Sequence, residues 1–400
     1  MLLGFFIIRS FSLNDLMRLS AFSQLSNLSL SFKNVVSLPY INSPLFLSND
    51  FSIFSHLIIA NSYFQKVSMP LIYGITHSIK IQNTKFNRCV SPIYINCINN
   101  KKKFTSREYY SDKKIELNKN DYENCNSPTL EGGCLYLSDV KSVITKCYFF
   151  QNNANIGGAI FIIGGRSVIT FSNFIKNSAQ KDAGAIYVRD CSLTIKDSSF
   201  ASNSAQQNGG SIAAKTCNFD IFIRNIFYSG SAGDKYGGLS CDECSGLIMQ
   251  CYFKGNKAGS NVGISLAIMN NIDSFNLENN NFYDTEPFQI LLTSASLSYI
   301  YDNKMACSEE NGFYIVNNSN KPNYVIANTR YNSDNIEKAP KVPGELMREM
   351  FVYDEAQPPF EIRKLFMLIF LLSTITVIIS IGVPCLIQNS GPTGKGYTKQ

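Results

Sequence analysis

Thirty-six basic and 30 acidic side chains leave this 400-residue chain with a formal net charge of +6, and only 16% of its residues are charged. That balance gives no expectation of nucleic acid as a partner, and no phosphate loop, nucleophile elbow or paired-histidine metal motif occurs, so no cofactor is expected either. Four hundred residues would ordinarily divide into two or three globular domains, but a repeating coil grows by adding units and needs no second core.

The chain opens with MLLGFFIIRS, an apolar run with no basic lead and no clear small-residue cleavage site, so residues 1–24 read as a weak secretion signal or a cap. From residue 25 a loose repetition begins, in SYFQKVSMPLIYG (62–74), KFNRCVSPIYI (85–95) and DYENCNSPTLEGGCLYL (121–137). His56 and His77 sit in its strand-like apolar stretches and read as packed or edge residues. The spacing is interrupted by NNKKKFTSREYYSDKKIELNKN (99–120), which holds seven basic and three acidic residues and reads as a loop leaving the coil. With Phe104, Tyr109 and Tyr110 beside them, Lys101, Lys102, Lys103, Lys113 and Lys114 form a candidate grip for an anionic glycan or, locally, nucleic acid, with a solvated insertion as the plainer reading of the same residues.

From Tyr148 to Tyr283 the repetition is strict, with a period of 25 to 29 residues. FFQNNANIGGAIFI (149–162), FIKNSAQKDAGAIYV (174–188), FASNSAQQNGGSIAA (200–214), FYSGSAGDKYGGLSC (227–241) and FKGNKAGSNVGISLA (253–267) place an aromatic, an Asn, an Ala and a glycine run in one order. The unit is too short for a four-stranded propeller blade and lacks the 3.6-residue spacing of a helical hairpin. Its cores, such as AIFII, SVITF and FDIFI, are β-branched and aromatic. Two or three short strands per unit, separated by Asn, Ser and Gly turns, make one rung of a parallel β-helix. The coil expected over 25–320 has about ten rungs, or roughly 50 Å at the strand spacing. Equal repeat positions then stack into ladders along the axis, a core ladder of Phe149, Phe174, Phe200, Phe227 and Phe253 and a turn ladder of Asn152, Asn177, Asn203 and Asn256. Gly133, Gly158, Gly184, Gly210, Gly238 and Gly263 are expected where the backbone needs conformations closed to other residues.

The same tetrapeptides carry a resemblance. GGAI at 157–160, with FFQN (149–152), FIKN (174–177), FASN (200–203) and FKGN (253–256), resembles the alternating GGA[ILV] and FxxN motifs of the polymorphic outer-membrane protein repeat family over about 131–287. That resemblance implies an all-β, right-handed parallel β-helix on a cell surface with adhesin-like duties. The bacterial members end in an outer-membrane β-barrel; this chain departs from them at its C-terminus.

Residues 321–362 read as a cap and stalk, and LFMLIFLLSTITVIISIGVPCLI (365–387) follows, 23 residues without a charge. At 1.5 Å per residue such a run crosses a hydrocarbon core of about 30 Å, so 363–387 is predicted to be a single transmembrane helix that binds the lipid bilayer. Residues 388–400 are then a short cytoplasmic tail. Arg348, Arg363 and Lys364 before the span and Lys395 and Lys399 after it leave the charge rule undecided. The polar coil and the sequons Asn27-Leu28-Ser29 and Asn317-Asn318-Ser319 place the β-helix outside the cell, in a single-pass plasma-membrane protein with an extracellular glycan or protein ligand.

Twelve cysteines would permit disulfides in that setting. Cys191, Cys217 and Cys244 fall at one ladder position on successive rungs, where parallel side chains favour a reduced ladder or a single bridge over a full set. Cys241-x-x-Cys244 lacks a second pair or a nearby histidine and carries no metal expectation. An enzyme, a polysaccharide lyase or hydrolase, is the rival class, and a purely structural surface-coat protein is the third reading. Arg189, Asp190, Lys215, Asp242 and Glu243 cluster before the cysteines, and Asp190 and Glu243 should lie two rungs apart, roughly 9.6 Å, with Thr216 between them. Turn positions account for these residues without chemistry, and the chain has no Trp to serve as a sugar platform, so no catalytic residue is assigned.

Overall fold

The computed structural model describes residues 28–36, 46–47, 54–74, 77–96, 113–259, 265–270, 274–283, 288–293, 298–307, 312–316 and 324–331. By its internal contacts the chain divides into Met1–Gly344 and Glu345–Gln400. The second unit, with the expected span at 365–387, lies outside the described residues, and no helix among the described residues is long and apolar enough to cross a membrane.

The described part is all β: a parallel β-helix of the right-handed type. One rung consists of Lys141–Thr145, Tyr148–Phe150, Asn153–Ile156 and Ile160–Ile163. Each strand pairs in parallel with its counterpart one repeat later, as in Lys141↔Arg166, Phe149↔Phe174, Asn153↔Ser178 and Ile160↔Ile186. Four sheets result, taken here in chain order within a rung, with 12, 11, 6 and 11 strands. The third is the one that the two-or-three-strand expectation lacked. Its strands shrink to pairs such as Ser178–Ala179 and Ser204–Ala205, which a sequence presents as turn residues.

Alternation decides which side chains go inward. In KSVIT the buried positions are Ser142 and Ile144, and in KIELN they are Ile115 and Leu117. The second example corrects the expected insertion over 99–120. Lys114–Asn118 is a strand of the first sheet, paired with Ser78–Gln82 and Lys141–Thr145, because its two apolar residues fit the core whatever the lysines around them suggest.

Inside the second sheet nine rings form one stack: Phe64, Phe86, Tyr122, Phe149, Phe174, Phe200, Phe227, Phe253 and Phe282. Successive centroids lie 4.7 to 5.5 Å apart, with planes within 17° of parallel. The backbone sets this spacing. Strands repeat at about 4.8 Å while carbon surfaces touch at roughly 3.5–4 Å, so the rings meet slightly offset, as aromatic quadrupoles prefer.

At the next corner the expected turn ladder of Asn152, Asn177, Asn203 and Asn256 is present and lies buried inside the coil. Asn177 Oδ1 accepts from the backbone N–H of Asn152 at 3.1 Å, while Asn177 Nδ2 donates to the Phe149 carbonyl at 3.1 Å. Asn203 repeats this one rung higher, accepting from the Asn177 N–H at 3.0 Å and donating to the Phe174 carbonyl at 2.9 Å. Each Asn thus satisfies two backbone groups that a turn would leave orphaned inside the core.

The residue before each ladder Asn is left-handed, as at Gln151 and Lys176, with φ of 53° and 54°. Its own N–H continues the sheet, Gln151 N donating to the Ile175 carbonyl at 3.1 Å. Local strain of about 1–2 kcal/mol for a non-glycine residue is thus tolerated at a corner whose hydrogen bonds are complete.

Glycine is obligatory at another corner. A Cβ on Gly184 would run into the Gly210 carbonyl oxygen, and the same contact recurs at Gly133, Gly158 and Gly210. This ladder continues through Gly237 and not through Gly238, because Leu239 pairs with Ile212. Gly263 lies outside the described residues.

Phe200 is fully buried between Phe174 and Phe227, so Phe200→Ala is expected to destabilise the coil by about 3–5 kcal/mol, whereas Lys196→Ala on the outer face should cost little. Urea denaturation of the two variants checks this, and equal midpoints would remove Phe200 from the core.

Candidate functional site

Lys101, Lys102 and Lys103 lie outside the described residues. Lys113 and Lys114 sit at the start of a first-sheet strand, and the register stacks Lys114 beneath Lys141 and Lys141 beneath Arg166. Three cations therefore follow one another at about 4.8 Å per rung along an outer edge. Such a column repels itself, and carboxylates moderate it: Lys114 pairs with Glu116, and Arg166 Nη2 lies 3.2 Å from Asp220 Oδ2. Sequence reasoning passed over Lys141 and Arg166. The signal was present, since KSVIT and RSVIT begin at the same repeat position.

The second charged group lies across the same corner. Arg189, Lys215 and Asp242 are in register at the outer ends of fourth-sheet strands, and Asp190, Thr216 and Glu243 follow them as left-handed corner residues. The expected two-rung separation of Asp190 and Glu243 is therefore present. Each carboxylate has a partner: Asp190 Oδ2 is 3.5 Å from Arg189 Nε, and Asp242 is 3.6 Å from Lys215 Nζ and accepts from Asn270 Nδ2 at 2.8 Å. Glu243 accepts from Thr216 Oγ1 at 3.0 Å. Partial burial holds the Asp190 carboxyl above its usual range, with Arg189 opposing the shift and Glu243 adding to it. Asp139, in the same corner ladder, is raised by the same cause, Ser138 opposing and Asp190 adding. No group of three or more His, Cys, Asp or Glu side chains suited to a metal ion occurs among the described residues.

Beside this edge, the outer face of the fourth sheet carries an aromatic column absent from the sequence reading. Tyr73, Tyr94, Tyr136, Phe161 and Tyr187 stack at 5.1, 4.3, 5.2 and 5.2 Å, and the next position is Ala213. Its signal was an aromatic in second place in IY, IYIN, LYLS, IFII and IYVR. Burial pushes the Tyr136 phenol up to about 12, so it stays protonated and able to donate.

All ten described cysteines are thiols and are buried, and Cys191, Cys217 and Cys244 occupy the expected single ladder position. His56 and His77 meet edge-on, ring centroids 6.2 Å apart.

No family model, curated protein or solved structure matches this chain.

Among the described carboxyls Asp121, on the second sheet between Lys85 and Tyr148, shows a large displacement: burial raises it from 3.8 to about 6, Lys85 opposing and Glu123 adding. Folding favours its protonated form, so its contribution to stability is fully present below pH 3.8 and is lost as pH rises towards about 6. Asp121→Asn is therefore expected to raise the urea midpoint above pH 6 and to leave it nearly unchanged below 3.8, measured against the parent at each pH. An equal gain at both would deny the coupling.

Proposed function

We propose that this chain is a membrane-anchored cell-surface binding module whose charged edge engages an anionic glycan, or a protein displaying comparable anionic groups. The observation that carries the reading is the in-register row Lys114, Lys141 and Arg166, whose first member follows in sequence the segment holding Lys101, Lys102 and Lys103. The most regular residues of the repeat, its Phe, Asn and Gly ladders, are consumed in holding the coil together, so recognition falls to the outer edge and the aromatic column beside it. A row with one cation per rung suits a linear polymer with regularly spaced anions. In this reading the uncharged run at 365–387 is the anchor, and the polar coil with its sequons supports an orientation with the coil outside the plasma membrane and 388–400 inside. The likeness of GGAI and FxxN to adhesin repeats points the same way.

A second reading, cleavage of an acidic polysaccharide, draws on the spacing of Asp190 and Glu243, roughly 9.6 Å and at the upper edge for an inverting pair. It is the weaker one, because Arg189 and Thr216 already engage those carboxylates. A depolymerisation assay on acidic polysaccharides separates it from binding alone.

Serine in place of Lys101, Lys102, Lys103, Lys113 and Lys114 is expected to reduce attachment to cells and to immobilised sulfated glycan. Lys141→Ser with Arg166→Ser should do the same with the first five lysines intact. Both effects should shrink as salt shortens the screening length. Undiminished attachment by both variants at low salt would sink the edge as the binding surface. A chain ending at Pro359 is expected to be soluble or secreted; if it sediments with membranes and resists carbonate extraction, the anchor lies elsewhere.

A further inference from the structure

The coil interior holds thiols in a pattern that recurs at two corners. Cys89 and Cys125 each follow a left-handed residue, Arg88 and Asn124, on neighbouring rungs, and the backbone N–H of Asn126 donates to the Cys89 carbonyl at 3.1 Å. Cys217 and Cys244 repeat the arrangement after Thr216 and Glu243, with the Ser245 N–H donating to the Cys217 carbonyl at 3.0 Å. All four are at most 3% exposed. Within each pair the two side chains point the same way. Every thiol reaches the carbonyl two residues back, at 3.5 Å from Cys89 to Asn87, 3.7 Å from Cys125 to Glu123, 3.1 Å from Cys217 to Lys215 and 3.3 Å from Cys244 to Asp242. Cys134 adjoins Cys125 and Cys241 adjoins Cys244, so each pair has a third thiol within its upper rung.

We propose that Cys89–Cys125 and Cys217–Cys244 are inter-rung disulfide sites, closed when the coil forms in an oxidising compartment and opened readily by reductant. The strand repeat holds the Cα atoms about 4.8 Å apart, inside the range a disulfide spans, while parallel Cβ atoms at that same distance sit slightly beyond the usual range of about 3.5–4.5 Å. Closure therefore needs a small inward lean, and a bond formed with strain is more reducible than a relaxed one. The oxidant is a small disulfide such as glutathione disulfide. One cysteine thiolate attacks it, expelling one glutathione, and the second cysteine displaces the other glutathione from the mixed disulfide. Two cysteine thiols are thereby oxidised, and one glutathione disulfide is reduced to two glutathiones. The hydrogen bond with Cys125, and then burial, raises the Cys89 thiol, and burial raises the other three, so all four stay protonated; the exchange proceeds while a rung is open and stops once the coil has closed.

The test is to refold the full chain in detergent with reduced and oxidised glutathione, alkylate what remains, and map tryptic peptides without reduction. Cys89 shares a peptide with Cys97, Cys125 shares one with Cys134, and Cys244 shares one with Cys241 and Cys251, so fragmentation must assign the sulfur. The expected result is Cys89 linked to Cys125 and Cys217 linked to Cys244, both released by mild reductant as single rungs open, before the coil unfolds as a whole. The oxidised protein should melt roughly 5–10 °C above the reduced one, and Cys217→Ser should lose its share of that difference while matching the parent under reducing conditions. Alkylation of all four cysteines, linkage of Cys217 to Cys191 on the rung beneath, or linkage within a rung between Cys125 and Cys134 or between Cys241 and Cys244, overturns the proposal. The mapping uses the unaltered protein and so stands even if Cys217→Ser folds poorly.

Discussion

Every side chain in this coil has its own equivalent about 4.8 Å above it and another as far below, and must tolerate both. That requirement sorts residue types more severely than burial alone. Phenylalanine passes because ring stacks on ring at nearly the strand spacing, and nine rungs accept an aromatic at that place, at centroid distances of 4.7 to 5.5 Å. Asparagine passes because it is donor and acceptor together, so one copy completes the next. Glycine passes where a carbonyl of the next rung occupies the space a Cβ would need. Lysine or arginine passes poorly. The column Lys114, Lys141 and Arg166 persists on the outer edge, where solvent screens it and Glu116 and Asp220 offset it.

How far the sequence revealed this depended on whether a residue's role was repeated. Phe149, Phe174, Phe200, Phe227 and Phe253 recur every 25 to 27 residues with an Asn three places on in four of the five, and both ladders are legible in the sequence. Roles that vary among neighbours left no such mark. Left-handed corners are filled by Lys146, Phe171, Asp197 and Arg224 in turn, since the side chain there points to solvent and the backbone alone must comply. The third sheet escaped notice because two-residue strands have no alternation to read. Gly238 was mistaken for a ladder member because both glycines of Tyr236-Gly-Gly look alike on paper, and only the pairing of Leu239 with Ile212 separates them.

The charged edge was half legible for a related reason. Lys113 and Lys114 drew attention through local density, and Arg189, Asp190, Asp242 and Glu243 through their place before a cysteine. Nothing in the linear order says that the two groups border one corner, which follows from the register of the first and fourth sheets. Lys141 and Arg166, isolated in sequence, join them only in the folded coil. The same rule that makes core residues repetitive makes surface residues additive, so a single cation per repeat becomes a row.

The Asn ladder has a direction. Asn203 serves the N–H of Asn177, Asn177 serves that of Asn152, and Asn152 serves that of Cys125; each higher rung supplies the oxygen that the rung beneath lacks. The two ends of the coil are thus chemically unlike. A rung emerging late from the ribosome brings the acceptor for a donor already in place, so over Cys125, Asn152 and Asn177 a chain made from its N-terminus is completed from behind; Gly230 interrupts the row, having no side-chain oxygen to offer the rung of Asn203. Whatever closes the upper end of such a row must accept from a backbone N–H, whereas at its lower end Asn152 Nδ2 already donates to the Tyr122 carbonyl at 3.0 Å and Cys125 and Cys89 hold the positions beneath it.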